Sequence, residues 1–198
     1  VYKHLNKLPD CKDNPAEKVV ILIDQTDPVT PLVNAEIKKR ALDFLGNKRI
    51  KDGRLKGDSA EDTPVNSLVT VFHIDSNQKE LKPLYSGCRP VSAKEVNAIE
   101  GDPQTEQRHY VERFQSKIEP LLEIGKQKDK SSPIAEALYS VSRTSFFSRP
   151  GKDKPKTKVL IFSDMVQHSD EVSLYGCAGS PNLSTSAKSL VGKLSSSY

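Results

Sequence analysis

Two aspartates that follow apolar runs are the residues best placed to do chemistry in this chain. Val19-Val20-Ile21-Leu22-Ile23 leads into Asp24-Gln25-Thr26, and Val159-Leu160-Ile161-Phe162 leads into Ser163-Asp164. Short apolar, β-branched runs bounded by charged segments read as strands buried on both faces of a parallel sheet. Ligands of such sheets collect at the carboxyl ends of the strands. Two carboxylates brought there repel each other or share a cation, and a hard divalent ion with oxygen ligands is the usual resolution. With hydroxyls from Thr26 and Ser132, the residues Asp24, Thr26, Ser132 and Asp164 make a candidate metal site. Magnesium suits it better than zinc, because no cysteine or paired histidine is close in sequence. Asp24 is expected to face the surface of that pocket.

Strands and helices must alternate to position these groups. After the first strand, Val33, Ile37, Ala41, Phe44 and Leu45 recur at helical spacing, and Gly46 ends the helix. A polar loop leads to a strand over Leu68 to Ile74, and a second loop carries Pro83, Gly87 and Pro90. An amphipathic helix is predicted from about Thr105 to Ile124, with Val111, Phe114, Ile118, Leu121 and Leu122 on one face and Pro120 kinking or dividing it. Ser132 suits an N-cap and Pro133 the first position of a further helix. The alternation predicts a three-layer α/β/α, Rossmann-like architecture with a mainly parallel sheet. Residues 1–17 read as an N-terminal extension, 18–178 as the domain, and 179–198 as a serine-rich, weakly ordered segment or a partial final helix. Ile21, Ile23, Val71, Leu160 and Phe162 should be almost fully buried.

Composition bounds the function. A chain of 198 residues has room for one domain, and 35% hydrophobic residues with 28% charged and 13 prolines imply long solvated loops around a small core. The net charge of +4 is mild, and Lys38-Lys39-Arg40 and Lys152 to Lys158 lack interleaved aromatics, so no nucleic-acid partner is expected. Cys11, Cys88 and Cys177 lack the spacing of a zinc site. One disulfide with a free thiol fits an exported protein, and three thiols fit a cytosolic one. No run is long enough for a membrane span. The chain starts without methionine, which leaves room for a removed leader, and an extracytoplasmic setting, bacterial envelope or secreted, is favoured over a cytoplasmic one. No G-x-S-x-G setting or phosphate-cradling glycine loop is present, so neither catalytic nor nucleotide-binding residues are assigned. His73 reads as structural, and His168 is the histidine nearer the proposed chemistry.

The order Asp24-Gln25-Thr26, then Ser132-Pro133 ahead of Ala137-Leu138, then Ser163-Asp164 resembles the von Willebrand factor type A domain. In that family a D-x-S-x-S motif, a loop threonine and a late aspartate form a metal-ion-dependent adhesion site. By position Asp24 and Thr26 match the first two members, Ser132 the threonine and Asp164 the last aspartate. The resemblance covers about residues 18–176, Ser67 to Ile74 is similar to the family's third strand, and Ile161 to Ser169 looks like a bacterial branch. Pro28 stands where the motif has its second serine, with Asp27 and Thr30 near enough to compensate, and Met165 replaces the usual glycine. The resemblance implies a non-enzymatic protein-interaction or scaffold domain, whose degenerate site holds Mg2+ weakly and bridges it to an acidic group of a partner protein. One alternative is a magnesium-dependent phosphatase similar to the haloacid dehalogenases. That chemistry needs a second aspartate where Thr26 stands, and Asp27 lies one residue too far along. The other alternative is a structural subunit with a dead metal site.

Overall fold

The computed structural model describes residues 11, 15–26, 28–47, 63–76, 81–92, 95–96, 101–123, 131–143 and 155–163. Asp27, Asp164, His168, Cys177 and residues 179–198 lie outside the described residues, as does most of 1–17. Four strands, β1 (Glu17–Asp24), β2 (Leu68–Ile74), β3 (Tyr85–Cys88) and β4 (Lys156–Phe162), form one sheet in the order β3-β2-β1-β4. β1 runs parallel to β2 and to β4, and β3 is antiparallel to β2. The sheet is thus mainly parallel, and its most apolar strand is flanked by a strand on each side. Val19 through Ile23 are fully buried.

β3 falls where the sequence suggested only a loop. Tyr85 and Gly87 face inward and Ser86 outward, and the nearby Pro83 and Pro90 together with a strand glycine mark it as a short end strand. Leu160 and Phe162, expected to be almost fully buried, are only partly so. Among the described strands β4 has a single neighbour, β1, so its side chains are covered less than those of β1.

The period of two along β1 divides the core. Val19, Ile21 and Ile23 pack with Ala41, Leu45, Tyr110, Phe114, Ile118 and Leu122. Val20 and Leu22 pack with Phe72, Ile74, Ala137 and Val141. The first set of partners comes from α1 (Pro31–Leu42), the turn after it, and a long helical run. Thr30 caps α1 by accepting a hydrogen bond from the Val33 amide at 3.4 Å, and Pro31 opens its first turn. The chain leaves α1 through a wide turn over Asp43–Asn47, where Gly46 takes φ 94°. The helix therefore stops where the sequence said it would.

The helical run is composite. It comprises α2 (Pro103–Tyr110), a π-helical segment Val111–Gln115, α3 (Ser116–Ile118) and a 3-10 turn Glu119–Leu122 that contains Pro120. Asp102 caps its start by accepting from Gln104 N at 3.0 Å and Thr105 Oγ1 at 2.7 Å, which holds the Asp102 carboxyl below its usual range. The buried stripe is Tyr110, Phe114, Ile118 and Leu122, a spacing of four that the wider π turn accommodates. Val111, expected on that face, is 39% exposed because it lies one residue off the stripe. α4 (Ile134–Ser142) buries Ile134, Ala137 and Val141.

Two features lock the β3 side of the sheet. Cys11 and Cys88 form a disulfide with Cα atoms 5.3 Å apart across a sequence separation of 77, tying the N-terminal segment to the end of β3. The buried Arg89 guanidinium donates to Leu45 O at 2.8 Å, pairs with Glu95 at 2.9 Å and lies 5.7 Å from the centre of the Tyr110 ring. The Tyr110 hydroxyl donates to the same Leu45 carbonyl at 3.0 Å. No helix among the described residues is long and apolar enough to cross a membrane.

Candidate functional site

Register brings the site together. β1 and β4 pair Ile23 with Phe162, so Asp24 and Ser163 emerge side by side at the carboxyl ends of adjacent parallel strands. The loop after β1 is pinned on the other side, where Gln25 N donates to Ile74 O at 2.8 Å and the Gln25 side-chain amide donates to Glu123 O. Ser132 enters from the segment just before α4. Asp24, Thr26 and Ser132 are 3%, 1% and 2% exposed, and Ser163 is partly buried. The expectation of a surface-facing Asp24 is corrected: its side chain is buried.

Asp24 is the hub. Its Oδ1 accepts from Thr26 N at 2.9 Å and Thr26 Oγ1 at 2.5 Å. Its Oδ2 accepts from Ser132 Oγ at 3.0 Å and Ser163 Oγ at 2.7 Å. A carboxylate has about four acceptor positions, and protein donors fill that number here. Among the described residues no lysine, arginine or histidine forms an ion pair with it. The result is one buried negative charge surrounded by three hydroxyl groups from three chain segments.

Three of the residues singled out in the sequence, Asp24, Thr26 and Ser132, therefore converge, and Asp164 lies outside the described residues. Ser132 does not cap α4, as the sequence suggested; Pro133 occupies the cap position without a side-chain bond, and the Ser132 proton goes to Asp24. Thr30, near Pro28, accepts from the Val33 amide at the start of α1. Ser163 was the residue missed. Only the pairing of β4 with β1 sets the residue after Phe162 beside Asp24. His73 is a structural tie, its Nε2 donating to Leu121 O at 2.7 Å.

The donor set decides what could bind. One carboxylate and three hydroxyls are all hard oxygen groups, which fit magnesium, calcium or manganese and not a soft metal. Among the described residues there is no cluster of three or more histidine, cysteine, aspartate or glutamate side chains that could hold a metal. Compared with protein-family models, with curated proteins and with solved structures, the chain matches none of them.

Proposed function

We propose that this chain is a non-enzymatic protein-interaction domain of the type A kind, three-layered α/β/α, whose face at the carboxyl ends of β1 and β4 binds an acidic group of a partner protein through a weakly held magnesium ion. The observation that carries the reading is the convergence of Thr26, Ser132 and Ser163 hydroxyls on the buried Asp24 carboxylate. The packing of odd-numbered β1 residues with α1 and the 103–122 run, and of even-numbered ones with α4, supports the layering. In this reading Asp24 supplies the charge and orients the hydroxyls, Thr26 and Ser132 offer oxygens, and Asp164 is the second carboxylate that the sequence supplies directly after Ser163. The cation, when bound, supplies a positive charge and open coordination positions that a carboxylate from outside can enter.

One observation favours the reading of a structural subunit with a dead site: the acceptor positions of Asp24 are already filled by protein donors. A magnesium titration of the full chain by calorimetry and thermal denaturation separates the two. A cation that binds only the folded state raises stability by about 2.7 kcal/mol at a hundred times its dissociation constant. Neither heat nor a rise in Tm at millimolar magnesium would assign Asp24 to structure alone. Magnesium-dependent hydrolysis of a generic phosphate ester would instead favour the phosphatase, and none is expected.

A further inference from the structure

We infer that the Cys11–Cys88 disulfide is a redox latch on β3: with the bond closed β3 stays docked on β2, and with it reduced β3 and Arg89 leave the sheet while β2, β1 and β4 keep the core. The bond joins a residue ahead of β1 to the last residue of β3. Cys88 pairs with Leu68 at the start of β2, the end of the sheet opposite Asp24, which pairs with Ile74. Both cysteines are partly exposed, a setting in which disulfides exchange more readily than buried ones. A dithiol reductant supplies the chemistry. One of its thiolates attacks a cysteine sulfur and breaks the S–S bond, and its second thiol resolves the mixed disulfide. The two protons end on Cys11 and Cys88, and the reductant leaves as its own disulfide. The device opens the outer edge of β2 in a reducing setting and closes it in an oxidising one.

Three observations mark β3 as an element that needs the bond. Its sequence, Tyr85-Ser86-Gly87-Cys88, holds a glycine and no β-branched residue, and among the described strands it pairs with β2 alone. Docking it also leaves polar groups worse off. Among the described residues the Tyr85 and Ser67 hydroxyls, beside the β2–β3 seam, are buried without a hydrogen-bond partner, and the Arg89 guanidinium is taken out of water. Release returns all three to solvent. Finally, the core depends little on β3: Tyr85 alone of its residues joins the cluster around Ile21, and none joins the cluster around Val20 and Leu22. The bonds from Glu95 to Arg89 and Ser92 lie within the same arm and move with it. What must break are the seam and the Arg89 bond to Leu45 O. The disulfide keeps these closed by holding Cys88 at a high effective concentration, which reduction removes.

The test is amide hydrogen exchange, read residue by residue on the full chain before and after reduction with dithiothreitol. The Leu84 and Arg89 amides, which donate to Val71 O at 2.9 Å and Ser67 O at 2.8 Å, report on β3, and those of Ile21 and Leu22 report on the middle of β1. Reduction should widen the ratio of β3 to β1 exchange rates by about tenfold or more, because a change in global stability alone speeds both sets alike. A Cys11→Ser, Cys88→Ser double variant should show the widened ratio without reductant and not respond to it, which assigns the effect to this bond and not to Cys177. A ratio unchanged by reduction overturns the latch and leaves the disulfide a staple of the whole fold. Loss of the far-ultraviolet spectrum on reduction overturns it as well, since β2, β1 and β4 would then not keep the core. Tyr85→Phe removes the unpaired hydroxyl, so in the reduced protein it should narrow the ratio. A ratio equal to or above that of the reduced wild type overturns the driving force assigned to the release of β3.

Discussion

Replacing Asp24 with alanine should destabilise the fold, by about 2–4 kcal/mol. The side chain is 3% exposed and accepts hydrogen bonds from Thr26 N, Thr26 Oγ1, Ser132 Oγ and Ser163 Oγ. A hydrogen bond to a charged group is worth about 1.5–3 kcal/mol net, and a buried donor left unpaired costs about 1–3 kcal/mol. Ser163 can turn to water because it is partly exposed, but Thr26 and Ser132, at 1% and 2% exposure, have little access to any. The three donors left unpaired at those two residues amount to about 3–9 kcal/mol. Removing a buried charge returns part of its desolvation cost, which brings the net into the stated range. Equilibrium urea denaturation followed by circular dichroism measures it, with an unchanged slope showing that the unfolded state is the same. A loss under about 0.5 kcal/mol, the ordinary scatter of surface substitutions, would refute the reasoning and mean that these bonds do not hold the β1, β4 and pre-α4 segments together.

Gly46→Ala should cost about 2 kcal/mol or more in the same assay, because φ 94° penalises any side chain and a Cβ there would come within 2.0 Å of the Arg89 guanidinium. Burial pushes the Tyr110 phenol up to about 12, against an ordinary 10.0, so its neutral form is favoured in the folded state; the stability this provides is complete below about pH 10 and is lost as pH rises to about 12. Tyr110→Phe should flatten that fall in urea titrations, leaving a residue from Tyr85, whose phenol burial also pushes up. Reducing the Cys11–Cys88 disulfide, which spans a sequence separation of 77, should lower stability by about 4.5 kcal/mol on the chain-entropy account; a Cys11→Ser, Cys88→Ser double variant that matches the oxidised wild type in urea would contradict it.

Local signals were read well and non-local ones poorly. β2 and the stop at Gly46 follow from apolar runs and backbone chemistry that sit within a few residues. β3 was missed because Tyr85-Ser86-Gly87-Cys88 has almost no strand propensity of its own and is held by pairing with β2, from Leu68↔Cys88 to Val71↔Tyr85. Ser132 illustrates the limit of local reading: a serine before a proline at a helix start is a good cap locally, but α4 begins one residue later, with Pro133 at the cap position, and the Ser132 hydroxyl donates to the buried Asp24 carboxylate. Leu160 and Phe162 look as buried in sequence as Ile21 and Ile23, and only strand order tells the two pairs apart. The convergence of Asp24, Thr26 and Ser132 was legible because each lies at a strand or helix end, where α/β sheets gather polar groups. The site's third hydroxyl was not, because naming it requires the β1–β4 register.

The negative charge at position 24 is more than tying three segments together requires. Burying a lone carboxylate costs several kcal/mol, and a neutral amide of the same shape could still accept from Thr26 N and Thr26 Oγ1 through its oxygen. Its NH2 group could then donate to Ser132 and Ser163, whose hydroxyls would rotate to accept. Asp24→Asn should therefore stay within about 1 kcal/mol of wild type without metal, far closer than Asp24→Ala, because the bonds are reversed rather than removed. The reversal also turns two hydroxyl protons outward, toward any cation. Asp24→Asn should thus lose manganese binding even though its fold is kept. That dissociation of stability from binding is what a charge kept for a ligand produces. If Asp24→Asn falls as far in stability as Asp24→Ala, the charge itself holds the segments, and Asp24 is a structural anchor whatever else the face binds.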